Sequence, residues 1–500
     1  MDSNNEETKP AKSGREQSNI GIEIWRKTQE KREEKDTSLI EHKPFAPSDK
    51  DAKFEINAEI ERAMHALKNS NKHIFITGSA GTGKSTLLRR YIETNDMSHT
   101  AVLAPTGVAA INVNGETIHH FFGLKPGCTP DDMEDAVQRA KRRGKMKLFK
   151  ALDAIIIDEI SMVRADMFDC IDMFLRKIRK IDEVLGGVRL IAFGDLYQLP
   201  PVVTNQEKSL FEDYYNSPYF FGSRTFYELY QNELRDFEYI ELTKVYRQRD
   251  SKLIDLLNAV REGKATDDDI ELLNQRVVSA REIDELNDES IYLTTTNAKA
   301  DERNAQKLQE IDTESFMFNA ETEGDFPNQF KPTTDVLEIK IGAQVMIIMN
   351  DINGKYTNGT LGQIYEISYN KGNPMKSKVK VRLKDTGRLV TITRNTFDAV
   401  YNSFDIKNGV IIRKTLGSFT QFPLRLAWAV TIHKAQGKTF SSLIIDLERR
   451  AFAEGQTYVA LSRATTFDGL YLTRPIRKSD IIVDQNMVKT LDVINMMLHA

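Results

Sequence analysis

The sequence predicts an α/β protein with two parallel-sheet domains, the first bearing a phosphate loop and the second interrupted by a small β-barrel. Three observations lead there. From residue 54 onward, short and almost wholly apolar runs alternate with segments of helical spacing, the pattern of strands buried on both faces. A glycine-rich loop stands directly between one such run and a helical segment. Between 337 and 421 the pattern changes to alternating segments separated by Asn-Gly and Asp-Thr-Gly turns, which is hairpin chemistry.

Residues 1–50 are polar, rich in Glu, Lys, Ser and Asn, and read as a disordered tail. Ile20, Ile22, Ile24 and Trp25 within it offer a short helix to a protein partner, with a plain flexible tail as the alternative. A chain of 500 residues exceeds what one core holds. The first domain is expected over 51–237, with a helix at 58–67 and strands at 73–77, 101–104, 154–157 and 189–193. A further strand at 239–242 continues the series. The second domain is expected in two parts, 238–336 and 422–476, with strands at 291–294, 427–430, 443–445 and 470–473. The barrel occupies 337–421, with strands near 343–349, 362–367, 378–383 and 389–393. Residues 477–500 form a C-terminal tail.

Composition is that of an ordinary globular chain, 40% apolar and 28% charged. A formal net charge of −4 excludes a uniformly basic coat, so the local distribution of charge matters more than the sum. Residues 139–150 carry seven basic side chains and no acid, and 376–394 carry seven against one Asp. Such runs are solvated faces or anion surfaces. Cys128 and Cys170 are the only cysteines, which excludes a disulfide framework and suits a reducing compartment. No apolar run approaches the roughly 20 residues that cross a bilayer, and neither a secretory nor a transit signal is visible. The expectation is a cytoplasmic protein without a membrane partner, at the nucleoid if the host is prokaryotic.

The chemistry concentrates in a few segments. Gly78, Ser79, Ala80, Gly81, Thr82, Gly83, Lys84 and Ser85, followed by Thr86, fit the phosphate-loop pattern in its required strand-to-helix setting. Its glycines let backbone N–H groups approach phosphate. Lys84 is assigned to the β- and γ-phosphates and Ser85 to Mg²⁺. Asp158 and Glu159 end an apolar strand, at the edge where open α/β sheets bind ligands. Asp158 is read as the second Mg²⁺ residue and Glu159 as the group that polarises the attacking water. Gln198, after another strand, suits a γ-phosphate sensor. Arg247 and Arg463 are candidates for the positive charge that phosphoryl transfer requires. The segment 427–440 breaks from an apolar run into Thr431, His433, Lys434, Gln436, Gly437, Lys438 and Thr439. So many donors on one edge suit anions, and Gly437 and Lys438 are assigned to the nucleotide.

Read in order, GSAGTGKST, APTGVAAINVNGETIHHFF, IIIDEISM, GDLYQLPPV, VYRQ, TIHKAQGKTF and YVALSRA resemble the superfamily one helicases. Among them the chain is similar to group B, the Pif-type (petite integration frequency) DNA helicases. The resemblance covers about 54–476 and includes a signature over 166–195 and an inserted Src-homology-three-like barrel beginning with LEIKIGAQVMIIMN. It implies two RecA-like domains with ATP between them, Mg²⁺, and a small basic wedge-type insertion near 119–150. It further implies single-stranded DNA across both domains, 5′-to-3′ movement, unwinding of forked or structured duplex DNA, and roles in repair, recombination and telomere maintenance. Thr106, Thr117 and His119 in the first domain and Asn297, Thr431 and His433 in the second match positions that touch DNA. The alternatives are a RecD-like translocase subunit and a nucleotide-switched DNA-binding protein without a motor. One departure is visible. The family's upstream adenine-reading glutamine has no counterpart between Lys50 and Gly78, where Asn57 is the nearest candidate.

Overall fold

The structure, a computed structural model, describes residues 57–499 apart from 126, 204–206, 208–210, 212, 213, 216, 249, 287–289, 352 and 353. The expected N-terminal tail, with its apolar cluster around Trp25, lies outside the described residues. The first sheet is built from β1 (His73–Gly78), β2 (Thr100–Ala104), β3 (Glu116–Thr117), β4 (Ala154–Ile157), β5 (Arg189–Phe193) and β6 (Phe237–Leu242). All pairings are parallel, in the order β3-β2-β4-β5-β1-β6.

Alternate side chains of a strand point to opposite faces, and here both faces are covered. Phe75, Leu103, Ile155, Ile157 and Ala192 enter one core with the helix Ala165–Arg179. Ile74, Ile76, Val102, Ile156 and Phe193 enter the other with the helices Ala58–Asn69 and Lys84–Thr94. That double burial is why the strands read as unbroken apolar runs. The basic stretch 139–150 falls on the helices Met133–Arg142 and Met146–Lys150 and on the turn between them. Their Val137, Ala140, Leu148 and Phe149 join the first core, while Arg142, Arg143, Lys147 and Lys150 remain exposed.

The second domain opens with β7 (Ile291–Thr294). The antiparallel strands follow: β8 (Ser315–Asn319), β9 (Glu321–Gly324), β10 (Val336–Lys340), β11 (Gln344–Ile347), β12 (Leu361–Ser368), β13 (Lys378–Leu383), β14 (Leu389–Ile392), β15 (Asn395–Asp405), β16 (Val410–Gln421) and β17 (Leu424–Leu426). The chain then returns as β18 (Ala429–Thr431), β19 (Leu443–Ile445) and β20 (Leu470–Leu472), which pair with β7 in a parallel sheet ordered β18-β7-β19-β20. The expected strand at 427–430 begins two residues late. The Ala427 carbonyl accepts from Gln344 Nε2 at 2.9 Å, and Trp428 packs in the core of the inserted strands.

The inserted strands divide over three sheets: β14-β13-β12-β11-β17, the pair β10-β8, and β15-β16-β9. The antiparallel pattern therefore starts earlier than residue 337, at Ser315, and continues past 421 into β17. The long β15–β16 hairpin belongs to its own sheet and reaches the first domain. Ile411 N donates to Ser98 O at 2.7 Å, and Phe404 and Ile411 pack against the first-domain core. Asn402 donates to buried Glu116 Oε2 from its backbone N at 2.8 Å and from Nδ2 at 2.7 Å. The segment 477–500 contains the helix Gln485–His499, whose Met487, Leu491 and Ile494 also join the first-domain core. Among the described residues no helix is long and apolar enough to cross a membrane.

Candidate active site

The glycine loop leaves the carboxyl end of β1 and turns tightly enough to exclude side chains. Gly81 and Gly83 hold φ of 90° and 91°, a region open to glycine. A Cβ on Gly78 would lie 2.3 Å from Leu242 O, and one on Gly81 2.5 Å from Arg247 Cβ. Lys84 Nζ donates to Gly78 O at 2.6 Å and to Ser79 O at 3.1 Å, so its ammonium lies over the loop. Burial pushes its pKa down, against the pull of Asp195 and Glu159. Thr82 Oγ1 ties the loop to Ser79 O at 2.9 Å. Ser85 is exposed and Thr86 half-buried in the first turn of the following helix. Ala80 N donates across 378 positions of sequence to Tyr458 Oη at 2.7 Å.

Carboxylates arrive from the ends of the neighbouring strands. Asp158 and Glu159 follow β4, and Asp195 and Gln198 follow β5. Glu159 sits at a φ of 52°, an uncommon backbone state that tends to cluster at functional positions. Burial, with Glu159 beside it, raises Asp158 to about 7. Burial also raises Glu159, although Lys84 and Arg463 oppose it. Burial would raise Asp195 too, but Arg261 and Lys84 hold its carboxyl below the usual range. Arg261 Nη2 lies 3.1 Å from Asp195 Oδ1, Gln198 Nε2 donates to Oδ2 at 3.2 Å, and Tyr458 Oη donates to Oδ2 at 3.4 Å. Among the described residues no group of three or more His, Cys, Asp or Glu side chains forms a metal cluster.

The facing wall is cationic. Arg247 donates from Nη2 to Gly437 O at 3.3 Å and from Nη1 to Ser462 O at 3.5 Å. Arg463 is 1% exposed. It donates to the carbonyls of Val459 (2.9 Å), Lys438 (3.2 Å) and Ala435 (3.4 Å) and to Ser462 Oγ (2.7 Å). Burial, with Arg247 beside it, pushes its pKa down to about 9. Gln436 spans the two walls, its Nε2 lying 3.3 Å from Glu159 Oε2 and 3.1 Å from Gln198 Oε1. The structure thus brings Lys84, Glu159, Gln198, Arg247, Arg463 and Gly437 to one cleft. The Lys438 ammonium lies elsewhere, 3.0 Å from Met346 Sδ in the inserted strands, and only its carbonyl faces Arg463.

The six residues matched to DNA contact stand at the carboxyl edges of the two sheets. Thr106, Thr117 and Thr431, following or ending β2, β3 and β18, each cap a helix, the hydroxyl oxygen accepting at 3.3 Å from the N–H three residues on. Each hydroxyl proton stays available as a donor. Asn297 is the first residue of the helix Asn297–Gln309, after β7, and His433 is exposed beyond Thr431. His119 is half-buried, and burial lowers its pKa despite nearby Asp166. Asn57, the nearest stand-in for the upstream glutamine, uses Oδ1 to cap its own helix, accepting from Ile60 N at 2.9 Å. Tyr458, Asp195 and Arg261 were not singled out from the sequence. Tyr458 and Asp195 lie inside or beside segments already marked, but nothing in the spacing marks Arg261.

Known proteins with this organisation are numerous. The family model described as PIF1-like helicase matches residues 53–271. The zebrafish protein named ATP-dependent DNA helicase PIF1 is 34% identical over 409 residues, covering 80% of this chain and 58% of its own. The Bdellovibrio bacteriovorus protein named ATP-dependent DNA helicase Pif1 is 33% identical over 442 residues, covering 87% of this chain and 91% of its own. The chain therefore spans little more than half of the vertebrate relative and nearly all of the bacterial one. A Bacteroides Pif1 crystal structure in complex with ADP-AlF4 superposes with a TM-score of 0.78 at 35% identity, over 88% of this chain and 97% of that one. The same protein in complex with ADP-AlF3 and single-stranded DNA gives 0.60 at 34% identity, over 88% and 98%. On its motifs, its two parallel sheets and these relatives, the chain belongs to the PIF1-like helicase family, whose named members are ATP-dependent DNA helicases.

Proposed function

We propose that this chain is an ATP-driven, 5′-to-3′ DNA helicase that tracks on single-stranded DNA and unwinds forked or structured duplex. One observation carries the reading. Within seven residues, Thr431 and His433 stand at the edge matched to DNA, Gln436 bridges Glu159 and Gln198, and Gly437 meets Arg247. A displacement of that short segment by the strand is felt directly at the hydrolytic residues. Lys84 and the loop N–H groups of 78–86 take the β- and γ-phosphates, Glu159 orients water, Gln198 responds to the γ-phosphate, and Arg247 and Arg463 meet the charge that develops on it. Thr106, Thr117, His119 and Asn297, with Thr431 and His433, take the strand's backbone.

Ser85 and Asp158 are the residues that would hold Mg²⁺. The fit rests on Asp158, a buried carboxyl raised to about 7 beside a second carboxyl, which a cation would favour in its charged form. Bound there, Mg²⁺ would neutralise phosphate charge. We assign the domains as 51–237, 238–336 with 422–476, and the insert at 337–421, whose antiparallel strands extend outward to β8 and β17, and we retain the N-terminal tail as the segment for a protein partner. A DNA substrate places the protein wherever DNA is held, the nucleoid in a prokaryote. The test is strand displacement on matched 5′-tailed and 3′-tailed duplexes with ATP and Mg²⁺. Unwinding from the 5′ tail alone is expected, abolished by Lys84→Ala. Unwinding from the 3′ tail alone would sink the polarity, and turnover surviving Lys84→Ala would sink the assigned site.

A further inference from the structure

A cleft of about 380 Å³, outside every residue assigned above, opens at the carboxyl edge of the second parallel sheet, lined by Thr295, Lys299, Glu448, Arg449, Arg450 and Phe452. Its walls are the segments that follow β7 and β19, which are neighbours in the order β18-β7-β19-β20. Thr431 and His433 follow β18, and Asn297 follows β7. The cleft is therefore the next position in the same row, with adjacent strands about 4.8 Å apart.

Its one acid is already engaged. Glu448 accepts from the Thr295 hydroxyl through Oε1, and its Oε2 lies 3.3 Å from Lys299 Nζ. Its carbonyl accepts from Arg474 Nε at 2.6 Å. These contacts hold Glu448 at a φ of 54°, a backbone state that non-glycine residues keep only when their surroundings impose it. The next two residues, Arg449 and Arg450, project into solvent. Among the described residues neither guanidinium makes an ion pair or a hydrogen bond. Phe452 is 60% exposed, although Ala451 before it is buried. Unpaired arginines beside a water-exposed ring match single-stranded nucleic acid: the cations take phosphates and the ring takes a base face. A free inorganic anion would gain nothing from the ring.

We propose that this cleft is a further single-stranded DNA subsite, in which Arg449 and Arg450 hold backbone phosphates and Phe452 stacks on a base. It extends the strand's path one strand beyond β7, and it rests on the reading of the chain as a motor on single-stranded DNA. The test is fluorescence anisotropy with an oligothymidine and an abasic strand of equal length, over a series of salt concentrations. Phe452→Ala is expected to weaken oligothymidine binding about tenfold and to leave abasic binding unchanged, and Phe452→Trp to retain both. The double variant Arg449→Ala/Arg450→Ala is expected to weaken both strands and to flatten the slope of log K against log salt by about 1.4. Equal losses on both strands for Phe452→Ala, no loss on either, or an unchanged salt slope in the double variant would overturn the subsite and leave the motor reading intact. A wild-type chain that binds neither strand would overturn both.

Discussion

Arg261 and Arg463 are both buried in the cleft, yet their surroundings are opposite. Arg261 faces Asp195 at 3.1 Å, stacks over the Tyr197 ring at 4.2 Å, and has its pKa raised: burial opposes the charge, but Asp195 outweighs it. Arg463 has carbonyls and a hydroxyl as partners, with Arg247 nearby, and is pushed down to about 9. A buried cation that already has its carboxylate is part of the scaffold. A buried cation held by carbonyls and a hydroxyl has no anion among its contacts, and an arriving phosphate supplies one. The contrast separates a positioning arginine from a catalytic candidate without reference to motif.

The largest expected effect follows from Arg463. Arg463→Ala should lower kcat for ATP hydrolysis about 10³-fold or more. Retained turnover would erase the distinction between the two arginines. Arg261→Met should act in the reverse sense, stranding buried Asp195 and costing about 3–5 kcal/mol of stability, read from denaturant unfolding. A neutral result would mean that Asp195 is not held by this pair.

A smaller effect sharpens the carboxylate side. Asp158 has a folded pKa of about 7 against an ordinary 3.8. Between those values the unfolded chain has released a proton that the folded chain keeps, so this group lowers stability progressively as pH rises through that window. The wild-type protein without metal or nucleotide should therefore lose more stability from pH 4 to 7 than Asp158→Asn, in paired denaturation series. Parallel pH profiles would remove Asp158 as the strained carboxyl.

Much of the frame was legible in advance because it rests on local periodicity. The runs at 73–77, 101–104, 154–157, 189–193, 291–294 and 443–445 all lie in parallel strands, since strands buried on both faces are apolar at nearly every position, and the run at 239–242 lies in the parallel edge strand β6. The two-residue β3 was too short to leave a pattern. The β15–β16 hairpin alternates like its neighbours, and nothing local says that it leaves them for Glu116. Asn57 stands nearest to where the family's adenine-reading glutamine would be, but a side chain just before a helix is as suited to capping, and its Oδ1 caps the helix that follows.

What the sequence determined by itself was the pair of parallel sheets, the glycine loop and the family, because turn chemistry, burial periodicity and motif order are written in neighbouring residues. Tertiary structure alone decided which charges meet. Arg261 finds Asp195 across 66 positions, Tyr458 finds the phosphate loop across 378, and Gln436 reaches both Glu159 and Gln198. Those pairings follow from sheet order and from the docking of one domain on the other. Hydrogen bonds and ion pairs act only over a few ångströms, so a residue's partner is set by where the chain returns and not by its own identity.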